Sequence, residues 1–271
     1  MVQTTEARNP LVSSESPWQT CDGVIRRCVT AVSGSAAAIA NLIFPPTCQL
    51  CWRDIDGHGE VHVCAACRAE LRNRKPVCSH CAMPLPKFAS SVAESCPACR
   101  NERFCFASVQ AMGLYDGLLR DGVLRMKKGH EEALTLTMGR LLAETVRFSD
   151  PVRPDLVVPV PMHWTRRITR GTNPPEVLAE MVGNRMRLPV ALDLLRCRRK
   201  TRKQGMLLPD QRRRNVREAF SVSAGYDIRD ACVLLIDDVM TTGATGNELS
   251  RVLRRAGAKQ VSVAVVARGT G

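Results

Sequence analysis

Aromatic side chains are scarce in this 271-residue chain, where Phe, Trp and Tyr together make up 4%. Binding that depends on a long row of stacked bases is disfavoured, because each base needs its own ring. Long apolar runs are missing too. No stretch reaches bilayer-spanning length, and Ala36 to Ala40, the longest candidate near the start, runs into Asn41. That run lacks a convincing basic region ahead of it and does not read as a signal peptide, so the chain is expected to be cytoplasmic with no transmembrane segment. Acids are in deficit, with 26 Asp and Glu against 39 Lys and Arg, for a net charge of +13. Such a balance favours polyanions: nucleic acid, phosphorylated metabolites or an anionic membrane surface. A generally basic surface would give the same total. From Arg196 to Arg217, however, ten residues are basic and Asp210 is the only acid.

The residues present describe a globular protein, with 45% hydrophobic and 24% charged content. The length allows one substantial core and a smaller module. The module is marked by cysteine. Eight of the thirteen cysteines form Cys-x-x-Cys pairs: Cys48/Cys51, Cys64/Cys67, Cys78/Cys81 and Cys96/Cys99. Two intervening residues let both thiolates face one ion from a tight turn, at about 2.3 Å each. In a chain expected to be cytoplasmic this reads as zinc ligation, not as a disulfide framework. Four pairs make two all-cysteine sites with no open position, hence structural ones. Sequential pairing gives two ribbon-like knuckles and interleaved pairing gives a cross-brace; the spacing allows either. The segment is too short for a core of its own, so metal should supply its stability. His58, His62 and His80 lie close by, but eight cysteines already fill both sites. Cys21, Cys28, Cys105, Cys197 and Cys232 have no ligand spacing; Cys232 is expected in a strand core and Cys105 near an entry strand.

Residues 1 to about 35 are rich in Ser, Thr, Gln and Glu and read as a loose arm. An amphipathic helix is expected from about Ile25 to Phe44, stopped by Pro45-Pro46. Beyond the cysteines, a strand is expected over Phe104 to Tyr115, then helices over Gly117 to Lys128 and Glu131 to Phe148. Asp155 to Pro161 reads as a short buried strand. A helix carrying Val177, Leu178, Met181 and Val182 follows, then strands over Cys232 to Ile236 and Val261 to Ala267 around a helix over Asn247 to Ala256. This alternation predicts an α/β fold, a mainly parallel sheet with helices on both faces. The expected domains are the arm and helix over 1–46, the zinc module over 47–103 and the α/β domain over 104–271.

The most telling segment runs from Val233 to Gly246. An apolar strand ends in Asp237 and Asp238, followed by Thr241, Thr242, Gly243, Ala244 and Thr245 and an amphipathic segment. Backbone N–H groups and hydroxyls of such a loop can wrap a phosphate monoester, and Gly243 permits close approach. The two carboxylates can accept hydrogen bonds from a ribose diol, directly or through hydrated magnesium. Arg166, Arg167 and Arg170 after the Pro159-Val160-Pro161 strand could clamp diphosphate oxygens, or could line a solvated loop. Lys127 could reach a ligand phosphate, or simply favour a helix C-terminus. The stretch around Arg199, Arg202, Lys203, Gln204, Arg212 and Asn215 reads as a flap over the site, a strip for nucleic acid backbone, or a solvated face. Trp52 and Trp164 are the stacking candidates near these motifs.

The Asp-Asp-Val-Met-Thr-Thr-Gly-Ala-Thr run resembles the phosphoribosyl-diphosphate (PRPP) signature of type I phosphoribosyltransferases. With the cysteine pairs, Tyr115, Lys127 and Gly129, the Pro-Val-Pro strand, Arg170-Gly171-x-Asn173, Gln204, Arg212, Asn215 and Ala219-Phe220, the whole is similar to the ComF (ComFC/GntX-like) family. The likeness covers roughly residues 40 to 270. It implies a type I phosphoribosyltransferase-like sheet behind a double zinc ribbon. Asp237 and Asp238 would then bind ribose and magnesium, and Thr241 to Thr245 the 5′-phosphate. It also implies a role in natural competence, with single-stranded DNA and a competence helicase as partners. Where the family usually has Phe and then Gln-Ala, this chain has Thr172 and Pro174-Pro175, expected to reshape the start of the following helix. Two functional readings follow. One is a PRPP- and magnesium-binding protein that assists uptake or processing of transforming DNA. The other is an active phosphoribosyltransferase of nucleotide or nucleobase metabolism without a DNA role.

Overall fold

The computed structural model describes residues 46–55, 61–72, 76–85, 96–100, 102–146, 153–201 and 208–270, without the side chains of residues 166, 169, 170, 209 and 210. The arm and the helix expected up to Phe44 lie outside the described residues. Thr47–Gly271 forms one compact unit.

The centre is a four-stranded, all-parallel sheet in the order β1-β6-β5-β2. Its strands are β1 (Ser108–Leu114), β2 (Leu156–Pro159), β5 (Cys232–Met240) and β6 (Gln260–Arg268). The middle strands are buried on both faces and so read as continuous apolar runs. Alternate residues of β5 serve opposite cores. Val233 and Leu235 join one cluster and Leu234 and Ile236 the other, as the period-2 pleat requires. Pro159 is the last residue of β2; its missing N–H falls on the side facing away from β5, and Val160 N still donates to the Ile236 carbonyl at 2.8 Å.

One face is covered by α3 (Gly117–Met126), α4 (Glu132–Thr145) and α6 (Pro174–Met186), which bury Leu119, Val123, Leu134, Met138, Leu178 and Val182. The opposite face holds α8 (Ala244–Arg255), through Leu249 and Leu253. Above it sit the antiparallel pair β3 (Leu195–Cys197) and β4 (Phe220–Val222) and the short helix α7 (Pro209–Val216). Helices on both faces of a mainly parallel sheet match the expectation. The hairpin, α7 and α5 (Trp164–Arg170) are additions to the expected elements.

The element limits also shift in an instructive way. β5 continues to Met240 instead of stopping at Ile236, because β6 pairs with it along that length, Asp237 lying opposite Val265 and Met240 opposite Arg268. α8 begins at Ala244 instead of Asn247, so the Thr/Gly segment is itself the helix entrance. α6 starts on Pro174 and Pro175 with Asn173 as N-cap, the positions where proline's missing N–H costs nothing.

The cysteine module has two further helices, α1 (Ala65–Arg72) and α2 (Pro97–Arg100). Its two halves rest on different cores: Cys48, Leu50 and Cys67 join the α3/α4/α6 cluster, and Cys78, Cys81 and Cys96 the α8 cluster. Among the described residues no helix is long and apolar enough to cross a membrane.

Candidate functional site

The eight cysteines gather into two sets, Cys48/Cys51/Cys64/Cys67 and Cys78/Cys81/Cys96/Cys99, each with its sulfurs within 4.8 Å of one another. Pairing is therefore sequential, not interleaved. Cys51 Sγ and Cys64 Sγ are 3.6 Å apart, as are Cys81 Sγ and Cys96 Sγ, and Cys78 and Cys99 are 3.8 Å apart. A tetrahedron of about 2.3 Å Zn–S bonds has edges of nearly that length, so both sets fit zinc. The thiols divide as crowded acids do. Burial opposes ionisation of Cys48, but N–H groups of Cys64, Cys51 and Leu50 draw it down to about 7. Burial pushes Cys81 up to about 11, and burial followed by the neighbouring sulfurs raises Cys67 and Cys99. Four thiols this close cannot all ionise without a cation among them. His80 is no ligand: it lies between Cys99 Sγ (3.4 Å) and the Phe106 carbonyl (3.1 Å).

At the carboxyl end of β5 lies a cleft of about 450 Å³, lined by the acids, the whole 241–246 loop, Tyr115, Lys127, Asn173 and Phe220 among others. This is where ligands bind in open α/β sheets. Asp238 pairs with Lys127 Nζ at 3.0 Å, in a setting where both side chains are largely shielded. Lys127 is the C-cap of α3, so its side chain reaches the cleft from the end of that helix. Burial, and then the neighbouring charge of Asp238, push the Asp237 carboxyl well above the ordinary range. The two acids also accept short-range N–H bonds that fix their aim, Asp238 N to Asp237 Oδ1 at 2.8 Å and Val239 N to Asp238 Oδ1 at 2.7 Å.

The loop turns at Gly243, whose φ of 79° caps α8. The positive φ is what favours glycine; a Cβ there would also press on the flexible end of Met240 at 2.7 Å and on Phe104 at 3.3 Å. The first-turn N–H groups of α8 have no intrahelical acceptors and face an anion's natural seat. Arg212 of α7 reaches over and donates to Thr241 Oγ1 at 2.9 Å. Part of the basic segment thus closes on the site; residues 202–207 of it lie outside the described residues. Asn173 is buried, donates weakly to the Val160 carbonyl (3.4 Å), and keeps a buried Oδ1 without a partner among the described residues. The candidates Arg166 and Arg170 are in α5, and their side chains are outside the described residues; Arg167 pairs with Glu176 at 2.7 Å.

One residue next to the site escaped the sequence reading. Arg268, the last residue of β6, is 1% exposed and bonds the carbonyls of Cys81 in the second cysteine set and of Met240 and Thr241 at the start of the 241–246 loop. Its only sequence signal is a charge ending an apolar strand.

Residues 39–100 match the double zinc ribbon domain family and residues 177–270 the phosphoribosyl transferase domain family. The chain is 27% identical over 227 residues to Competence protein F of Haemophilus influenzae, covering 80% of this chain and 97% of that protein. It is 25% identical over 226 residues to DNA utilization protein YhgH of Escherichia coli K12, covering 82% and 96%. Among solved structures, the glutamine PRPP amidotransferase of B. subtilis aligns at a TM-score of 0.33 and 23% identity, over 50% of this chain and 26% of that one. The chain thus joins a double zinc ribbon to a phosphoribosyltransferase domain, and over 80% of its length it is similar to Competence protein F.

Proposed function

We propose that this ComF-type protein is cytoplasmic, binds phosphoribosyl diphosphate with magnesium in the β5 cleft, and handles single-stranded DNA along its basic face. The observation that carries the ligand reading is the meeting, in one cleft, of a carboxylate pair, a lysine and a glycine-capped helix entrance. The 5′-phosphate would sit on the 241–245 loop, with Arg212 adding charge above it. Asp237 and Asp238 would take the ribose diol and the magnesium ion, which supplies charge neutralisation at the diphosphate. Lys127 holds Asp238 in the free cleft and is within reach to exchange that partner for a ligand oxygen. The magnesium ion would offset the burial and the Asp238 charge that now disfavour ionisation of Asp237.

Turnover would break the bond from the anomeric carbon to the diphosphate oxygen, form one to an acceptor nucleophile, and release diphosphate. The cleft extends from the acids toward Val160, Asn173, Cys197 and Phe220, and this room supports the enzyme reading; the unpartnered Asn173 Oδ1 is an acceptor for a donor group there. For DNA, support comes from the charge, from the names borne by the two relatives, and from Trp52 and Trp164, which are 61% and 64% exposed. A competence helicase is the partner this reading implies.

A magnesium-dependent calorimetric titration with PRPP tests the site. The wild type should give saturable heats that vanish in Asp237→Asn/Asp238→Asn; equal heats from both proteins would end the reading. Oligonucleotide binding should weaken steeply with salt, since it is carried by phosphate contacts. Weak binding that is flat with salt would remove the DNA role, and diphosphate release with a base panel would then favour the metabolic enzyme.

A further inference from the structure

We propose that Arg268 is a positioning residue through which the second zinc knuckle sets the shape of the phosphate loop, so that phosphate binding depends on the metal in that knuckle. Arg268 ends β6 beside β5 and is among the most deeply buried side chains. Its Nε donates to the Cys81 carbonyl at 2.9 Å. One terminal nitrogen donates to the Met240 carbonyl at 3.0 Å and to the carbonyls of Thr241 and Gly269. The planar fork thus spans a ligand-bearing turn and the first residues of the phosphate loop. A shift of one end must be felt at the other, because the interior between them is close-packed.

Charge makes the link depend on metal. Among the described residues no carboxylate pairs with Arg268, and a buried cation without compensation is costly. Four thiolates around one divalent zinc leave a formal charge of about −2 next to it. A filled second knuckle therefore holds Arg268 in place; an empty or neutral one does not.

A second contact runs the same way. His80 bridges Cys99 and Phe106, Phe106 stacks on Phe104 at 4.6 Å, and both rings lie against Gly243. Among the described residues the first knuckle has an indirect route. Arg125 of α3 holds its Gln49 and Leu50 carbonyls at 2.8 and 3.2 Å, and reaches the cleft only through the helix that ends at Lys127.

The test is amide hydrogen exchange over residues 241–246 in the full chain, with zinc content measured in parallel and ribose 5-phosphate titrated as probe. Only the titration rests on the phosphoribosyl reading. Arg268→Met should keep both zinc ions, exchange at least roughly tenfold faster at 241–246 and bind the probe at least roughly tenfold more weakly, the low end for losing its four charged hydrogen bonds. Arg268→Lys should recover part of each. Cys99→Ser should reproduce the effect and Cys51→Ser should not. Wild-type exchange in a folded Arg268→Met, or equal effects from Cys51→Ser and Cys99→Ser, would overturn the proposal. Should Arg268→Met fail to fold, the cysteine comparison decides; should that fail too, stepwise chelation of wild-type zinc followed by exchange decides. A wild type that ignores ribose 5-phosphate would sink the ligand reading while the exchange result still judges the coupling.

Discussion

Thr47–Asp54 and Val77–Pro84 are the same turn used twice. Each hairpin is closed by a single antiparallel bridge, and each first cysteine donates its N–H to the residue after the left-handed position, Arg53 or Met83, at 2.8 Å. That position is Trp52 (φ 64°) in one and Ala82 (φ 55°) in the other. There the likeness stops. Trp52 stands out in solvent with the Arg125 guanidinium 4.4 Å from its ring, and Ala82 is buried against the sheet. Both knuckles put cysteines into a core, but the first turn is clasped by a helix arginine beside an exposed tryptophan, and the second is fastened by a fully buried arginine. The same Cys-x-x-Cys turn therefore says nothing about how closely a metal site is tied to a distant cleft.

The largest expected difference follows from the zinc sites themselves. Metal binding to such modules is folding energy on the order of 10 kcal/mol. Cys96→Ser should abolish soluble protein or lower the melting temperature far more than Cys64→Ser, since Cys96 lies within the α8 core and Cys64 is only partly buried. Equal losses, followed by circular dichroism and zinc analysis, would erase the distinction. Next comes the cleft. Asp238→Asn should weaken PRPP by roughly a hundredfold, about 2.7 kcal/mol, and should free Lys127 from its present partner. A smaller loss would place the ligand elsewhere.

Exchanging sizes at the left-handed position sharpens the comparison. Ala82→Leu should cost about 1–3 kcal/mol by overpacking, whereas Trp52→Ala should cost under about 1 kcal/mol, the value of an exposed cation–π contact. Urea denaturation reads both. The smallest effect is in pH. Because folding raises the Asp237 pKa, the folded state binds this proton more tightly than the unfolded chain. The stability it contributes is present below the ordinary Asp pKa and is lost as pH rises through the raised one. Asp237→Asn removes that loss, so the variant should melt higher than wild type at pH 8 and alike at pH 4 in ligand-free protein. A lower melting point at pH 8 would show that Asp237 is held as a stabilising carboxylate.

The comparison also marks how far the residues could be read in order. The apolar strand, the paired acids and the Thr/Gly turn are contiguous, so their meeting at one sheet end was legible, as was the grouping of eight cysteines into two sites. Lys127 was legible as a candidate, but its bond to Asp238 joins residues more than a hundred positions apart. Arg212 was noticed as one arginine in a basic stretch, and nothing local singled it out as the one that touches Thr241. The β3–β4 hairpin has strands of only three residues each, too short to give a period, and α5 carries Trp164 and Ile168 outward, so it shows no apolar face.

The sequence by itself determined that two all-cysteine zinc sites precede a parallel sheet, and that acids and a phosphate-type loop follow one of its strands. Those features depend on spacing of a few residues, which the backbone translates directly into geometry. Tertiary structure alone decided which knuckle touches the loop, that Arg268 joins them, and that Trp52 and Ala82 share a turn but not an environment. Each of these depends on which chain segments the parallel order β1-β6-β5-β2 makes neighbours. Hydrogen bonds and buried charge act only at contact distance, and contact between distant segments is fixed by packing of the whole sheet, not by any short run of residues.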